Sequence, residues 1–174
     1  MTHTVEPAKS GRSKCRGCKR PIDKGELRFG ERLPNPFADD GDMTLWFHLW
    51  CGAWRRPASF AEMLDEIDPA PADLEAMRQA VEAGKEHHRL ERICGVEPAP
   101  SGRARCRSCR EPIAKDGWRI ALEFFEEGMF NPAGYVHPGC ASAYFETIDL
   151  IDRLVWFNDN LSDDQIRDLK SKIG

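Results

Sequence analysis

A metal-ligand pattern that occurs twice constrains this 174-residue chain more than any other feature. Setting Ser10 on Ser101 aligns SGRSKCRGCKRPIDKGELRF with SGRARCRSCREPIAKDGWRI, and ten of these twenty positions are identical. Further along, WFHLWCGAW (Trp46 to Trp54) answers YVHPGCASAY (Tyr135 to Tyr144). Each copy therefore reads Cys-x2-Cys, a long insert, then His-x2-Cys, the mark of a duplicated module. Tetrahedral zinc takes thiolate sulfur and imidazole nitrogen, and a Cys-x2-Cys turn aims two sulfurs at one ion from a tight loop. The expected ligand sets are Cys15, Cys18, His48 and Cys51 in the first copy, and Cys106, Cys109, His137 and Cys140 in the second. Four protein ligands leave no open position for water, so both zinc ions are expected to be structural rather than catalytic.

Seven cysteines are an odd number, and paired cysteines in a reducing compartment read as metal ligands rather than disulfides. Cys94 is left over as a buried or linker thiol. His3 is expected in a mobile tail, and His87 and His88 on a solvated helix face. A core divided between two small modules is short of buried area, and the metal supplies the missing staple.

Local signals predict an α+β fold, each module a short antiparallel sheet with flanking helices. The expected boundaries are a disordered tail at 1–9, a first module with trailing helix at 10–92, a linker at 93–100, and a second module at 101–174 with a C-terminal helix. After each knuckle a Pro-Ile and a turn lead into extended segments, Leu27 to Arg32 and Trp118 to Phe125. Turn-rich loops are expected at Pro34 to Asp42 and Glu126 to Gly134. A second strand near Leu45 to Phe47, or Tyr135 to Val136, then delivers the histidine, and the last cysteine opens a helix. Ala72 to Arg92 carries Leu74, Met77 and Val81 at helical spacing and would span about 30 Å. Ser162-Asp-Asp-Gln165 is a capping-box pattern that starts a helix bearing Ile166, Leu169 and Ile173.

The net charge of -4 does not by itself announce a nucleic-acid partner; its distribution is more informative. Ser10 to Arg32 carries +5 and Ser101 to Leu122 carries +4, leaving an acidic body of -13. A surface field follows the charges within about 10 Å, so two basic faces on an acidic chain can hold phosphate. No secretory leader or bilayer-length apolar run is read, and the expected location is cytoplasmic and nucleoid-associated in a bacterium, or nuclear in a eukaryote. A membrane partner and a small-molecule substrate are not expected. Nor is enzyme activity, since no nucleophile paired with a base, phosphate-cradling glycine loop or open metal site is recognised.

The pattern resembles the PARP-type zinc finger, which occurs in tandem in poly(ADP-ribose) polymerase and singly in a DNA ligase. The spacings are Cys-x2-Cys-x29-His-x2-Cys and Cys-x2-Cys-x27-His-x2-Cys. The lead-ins Ser10-Gly11-Arg12 and Ser101-Gly102-Arg103, the aromatics Trp46-Phe47 and Tyr135, the pair Met129-Phe130 and the trailing Leu154-x-Trp156 carry the likeness further. The resemblance implies recognition of DNA strand breaks by a protein without the relatives' catalytic domain, with a repair enzyme on a separate chain as a further partner. Arg12 and Arg103 are the implied leading phosphate ligands, followed by Arg28 and Arg119, then Lys14, Arg16, Arg105 and Arg107. Phosphate contacts of this kind give affinity without sequence preference. Met129 and Phe130 stand where the family stacks on exposed bases, a contact worth about 1–3 kcal/mol per base, and Phe37 is their counterpart in the first copy. The alternatives are a zinc-scaffolded protein-interaction adaptor and a single-stranded nucleic-acid binder.

Overall fold

The computed structural model describes residues 2–174, which form two compact units dividing between Glu91 and Arg92. In the first unit, β1 (Thr4–Pro7), β2 (Leu27–Pro34) and β3 (Asp42–His48) make an antiparallel sheet in that order. Alternation along the strands sends Phe29, Glu31, Leu45 and Phe47 to the covered face, and Thr4, Glu6, Arg28, Gly30, Arg32, Thr44 and Trp46 to the other. Behind the covered face lie α1 (Leu49–Arg55), α2 (Pro57–Ala61) and α3 (Leu74–Glu86). Phe29, Phe47 and Phe60 are fully buried there, with the ring of Phe29 edge-on to Phe60 at 5.2 Å.

Helix packing explains two helical glycines, residues that ordinarily weaken a helix. A Cβ on Gly84 would lie 3.0 Å from Cγ of Pro57, and one on Gly52 would lie 2.9 Å from the rings of both Phe29 and Phe60. Helix α3 is shorter than expected, 13 residues or about 20 Å, and gives way to a 3-10 turn at His88–Arg92. Trp50 Nε1 donates to Asp73 at 2.7 Å, tying α1 to the start of α3. Glu31 is fully buried and bound by Arg56 at 2.8 Å and by the Ser59 hydroxyl at 2.6 Å. The aligned position in the second unit is the apolar Leu122.

The second unit repeats the plan with β4 (Ile93–Pro98), β5 (Trp118–Glu126) and β6 (Met129–Val136), again antiparallel in that order. Its helices are α4 (Ala141–Phe145), α5 (Ile151–Phe157) and α6 (Asp163–Lys172). Ile93, Ile120, Leu122, Val136, Phe145, Leu150, Leu154 and Leu169 form its core. The capping box is present, with the Ser162 hydroxyl accepting from Gln165 N at 3.2 Å and the Gln165 side chain accepting from Ser162 N at 2.9 Å. No helix among the described residues is long and apolar enough to cross a membrane.

Three expectations are corrected. Thr4–Pro7, expected in a disordered tail, is β1; residue 1 of that tail lies outside the described residues. Ile93–Pro98, expected as linker, is β4. Both are outer strands of their sheets, where proline is tolerated, and the register shift between Ile93 and Gly95 absorbs the glycine. The repeat itself carries the signal, because Val5-Glu6-Pro7-Ala8 recurs as Val96-Glu97-Pro98-Ala99. Finally, Glu126 to Gly134 is no loop. Glu127 (φ 50) and Gly128 (φ 79) form a two-residue turn of the kind that matches strand twist, and β6 follows at once. Between the Ala121↔Tyr135 and Glu123↔Pro132 pairs β6 carries one extra residue, a bulge at which Gly134 takes φ 91.

Candidate metal centres and nucleic-acid face

The eight expected ligands gather into two sets of four. In each, the ligand atoms of Cys15, Cys18, His48 and Cys51, or of Cys106, Cys109, His137 and Cys140, lie within 4.8 Å of one another. Zinc at its usual distance of about 2.3 Å from sulfur spaces tetrahedral ligands about 3.8 Å apart, so the sets fit the ion. The cysteines come from a knuckle ahead of the central strand, and the His-x2-Cys from the point where the third strand turns into a helix or 3-10 turn.

Each knuckle closes with the same bonds. Lys19 N donates to Cys15 O and Arg110 N to Cys106 O, both at 2.9 Å, with Lys19 and Arg110 in the left-handed region at φ 67 and φ 69. Arg16 N donates to Trp46 O at 2.9 Å, and Arg107 N to Tyr135 O at 2.8 Å, which locks the knuckle to the third strand. Backbone N–H groups support the first sulfur of each set: Gly17 and His48 on Cys15 Sγ, Ser108 and His137 on Cys106 Sγ.

The histidines are oriented from behind. His48 Nδ1 faces Cys18 Sγ at 3.3 Å while Nε2 lies 3.0 Å from Pro21 O; His137 repeats this with Cys109 at 3.3 Å and Pro112 O at 3.2 Å. Nδ1 is therefore the metal ligand, and the Nε2–H donates to the carbonyl, an outer bond that fixes tautomer and ring.

The ionisation of these side chains follows from their crowding. Hydrogen bonds from Cys15 and Cys51 hold the Cys18 thiol far below its ordinary range. Burial pushes Cys51 up. Burial opposes charge on His48, but the sulfurs of Cys15 and Cys18 outweigh it and raise the imidazolium to about 10. In the second set burial works against the Cys106 thiolate, yet backbone donors from His137, Cys109 and Ser108 bring it down to about 7, while burial pushes Cys140 up to about 12. Packed thiolates repel one another, and a divalent ion on their shared side removes that conflict. Each site holds one structural zinc ion.

Covering differs between the sites. Cys15, Cys51 and His48 are buried, whereas Cys109 is exposed and His137 and Cys140 are half-buried. In the first unit α1 lies against the knuckle so closely that a Cβ on Gly17 would be 2.9 Å from Cys51 Cβ. Arg55, also buried, donates from Nη1 to Gly17 O at 3.0 Å and from Nε to Glu91 O at 2.9 Å.

Of the expected phosphate ligands, Arg12, Lys14 and Arg16, with Arg103, Arg105 and Arg107, are exposed on or just before their knuckles. Arg105 donates to Arg110 O at 3.2 Å, and Arg107 lies across Gly134, where a Cβ would come within 3.0 Å of its Cδ. Arg28 and Arg119 are different, being only 7% and 8% exposed. Arg28 stacks on Trp46 at 3.6 Å and donates to Glu6 and to the Ser13 hydroxyl, each at 2.8 Å, which ties it to the segment before the knuckle. Arg119 stacks on Tyr135 at 3.7 Å and donates to Glu97 at 2.6 Å. Glu6 and Glu97 were not singled out from sequence, although the extended repeat contains both.

The apolar tips also differ. Phe37 is 78% exposed in the loop between β2 and β3, its N–H donating to Asn35 Oδ1 at 3.0 Å. Met129 is 46% exposed at the β5–β6 turn, while Phe130 is half-buried against Phe125 at 4.9 Å.

Two sheets, each pinned by a Cys3His centre and backed by short helices, define a tandem zinc-finger protein. Residues 6–82 match the family described as "Poly(ADP-ribose) polymerase and DNA-Ligase Zn-finger region". The first unit thus matches that zinc-finger family, and the second repeats its ligand set, so the chain is a tandem zinc-finger protein similar to the PARP type. It is similar to the poly [ADP-ribose] polymerase of Sarcophaga peregrina, 32% identical over 139 residues that make up 70% of this chain and 14% of the relative. It is also similar to poly [ADP-ribose] polymerase 1 of Danio rerio, 32% identical over 79% of this chain and 15% of the relative, and of Oryza sativa subsp. japonica, 28% identical over 76% and 14%. The matched region thus spans about one seventh of these relatives' length.

Proposed function

We propose that this protein binds DNA at strand breaks (nicks, gaps or ends) through zinc-organised modules, and that it does so without catalysing a reaction. The observation that carries this reading is the repeated grouping, on each rigid knuckle, of exposed basic side chains around a zinc-locked strand, with an apolar side chain at a loop or hairpin tip. Exposed arginine and lysine hold backbone phosphates of any sequence. An interrupted duplex exposes a base-pair face that intact duplex keeps stacked, and Phe37 or Met129 is of the right kind to cover it. Two linked modules gain effective concentration where both reach one site.

The relatives' names denote polymerases, and the similarity covers only a small part of them, so their activity is not carried over. The role we favour is damage sensing or repair, with the chemistry supplied by an enzyme on another chain, acting in the nucleus of a eukaryotic cell or at the nucleoid of a bacterium.

One titration tests this. The zinc-loaded chain is titrated with matched closed-circular, nicked, gapped and blunt duplexes and single strands over a range of salt. Preference for interrupted duplex, weakened by Arg103→Ala and by Phe37→Ala, is expected. Equal affinity for closed and nicked circles would remove the break-sensing reading, and no binding to any form would favour a protein-interaction adaptor.

A further inference from the structure

The outer face of the first sheet carries a groove of about 460 Å³ whose lining includes Lys9, Arg28, Arg32, Thr4, Thr44 and Trp46. Trp46 lies across Gly30, where a Cβ would come within 2.7 Å of its ring, so the indole lies flat on the sheet. Glu6 also lines the groove and is engaged by Arg28. Nε of Arg28, itself more than nine-tenths buried, has no hydrogen-bond partner among the described residues. Arg32 is exposed, four residues beyond Arg28 and on the same strand face, and its ion pair with Asp42 is loose at 3.9 Å between half-exposed side chains. Such a pair is worth little, so the guanidinium is available to a stronger anion.

The second unit does not repeat this. At the positions aligned with Lys9 and Arg32 it carries Pro100 and Glu123, so a cation is lost and another is replaced by a carboxylate on the corresponding face of β5. Glu126 and Glu127 follow at the hairpin turn. The charge reversal lies on the same strand as Arg119 and weakens phosphate attraction there.

We infer that Arg32 is an additional phosphate ligand found in the first module alone, and that Glu123 denies the second module the equivalent contact, making the two modules unequal. The groove's ligand is a phosphate of the DNA backbone. This rests on the DNA-binding reading above, whereas the inequality between modules is specific to the present residues.

The test uses the full chain with both zinc ions, a nicked duplex and a range of salt, with zinc content and melting temperature measured for every variant. Each phosphate contact contributes about 0.9 to the slope of log affinity against log salt, or about 5-fold in affinity near 0.15 M. Arg32→Gln should lower the slope by about that amount and weaken binding about 5-fold. Glu123→Arg should raise the slope and tighten binding, a gain that misfolding cannot produce. If wild type binds DNA but neither substitution moves the slope, the inference is wrong while the DNA reading stands; if wild type binds no DNA, the parent reading fails first. Inorganic pyrophosphate, followed by the tryptophan fluorescence change that is lost in Trp46→Phe, separates the sources of phosphate. Saturable pyrophosphate binding lost in Arg32→Gln, with DNA affinity unchanged, would overturn the assignment to DNA backbone.

Discussion

Arg55→Met should loosen one zinc ion and leave the other alone. The Arg55 side chain is 1% exposed and ties two carbonyls together, Gly17 O inside the first knuckle and Glu91 O at the end of the first unit. Methionine matches the length of the arginine stem and fills the same channel, but donates nothing. Each buried carbonyl stripped of a charged donor costs about 1–3 kcal/mol, and relief from burying the guanidinium returns part of it, for a net loss of about 2–4 kcal/mol. In a core this small, metal affinity and folding free energy are largely one quantity. At about 1.4 kcal/mol per decade, zinc at Cys15, Cys18, His48 and Cys51 should bind about 30-fold to 700-fold more weakly. The assay is competition against a chromophoric chelator of graded affinity, resolving two equivalents in wild type. One equivalent should shift in the variant, accompanied by a lower melting temperature for the first unit. A variant curve superimposable on wild type would refute the claim that Arg55 braces the knuckle.

The exposure of Cys109 and the partial exposure of His137 and Cys140 lead to a second expectation: under limiting chelator the second site empties before the first, seen as loss of one equivalent while Cys15→Ala protein loses its remaining zinc at the same early stage. Simultaneous release in wild type would count against burial as the controlling factor. Ser162→Ala removes the cap of α6, whose hydroxyl accepts from Gln165 N, and should cost about 1 kcal/mol, or roughly 4–8 °C in the melting temperature of the second unit. An unchanged melting temperature would mean that α6 adds little to that unit's stability.

What was legible in the sequence was what lies close along the chain. The ligand sets could be read because a knuckle and a His-x2-Cys are local geometries, and because each recurred. The capping box of α6 was readable for the same reason. The outer strands were not, since Thr4–Pro7 pairs with residues twenty or more positions away and has too short a run of alternation to declare itself. Its partner in the second unit was hidden by prolines that read as linker, although at a sheet edge they cost no ladder bond. The Glu126 to Gly134 hairpin was missed because Glu at the first turn position gives no signal for φ > 0; only Gly128 does. Burial of Arg28 and Arg119 was equally invisible, since arginine after a hydrophobic residue says nothing about an aromatic and a carboxylate arriving from the two neighbouring strands.

Those two buried arginines change how the exposed ones work. Arg28 is bonded to Ser13 and Glu6 and stacked on Trp46, so it joins the segment before the knuckle, the first strand and the third strand through one side chain. Arg119 makes the equivalent join to Glu97 and Tyr135, but Ala104 replaces Ser13 and the tie to the knuckle segment is absent. The same asymmetry recurs at Gly17 and Ser108, and at the buried Glu31 and its counterpart Leu122. Each difference leaves the first module with the more heavily cross-braced frame. A rigid frame holds charged side chains in place before a ligand arrives and so reduces the ordering cost of binding. Bracing and charge therefore point the same way, since the module with the tighter zinc cover also carries the additional cation at Arg32.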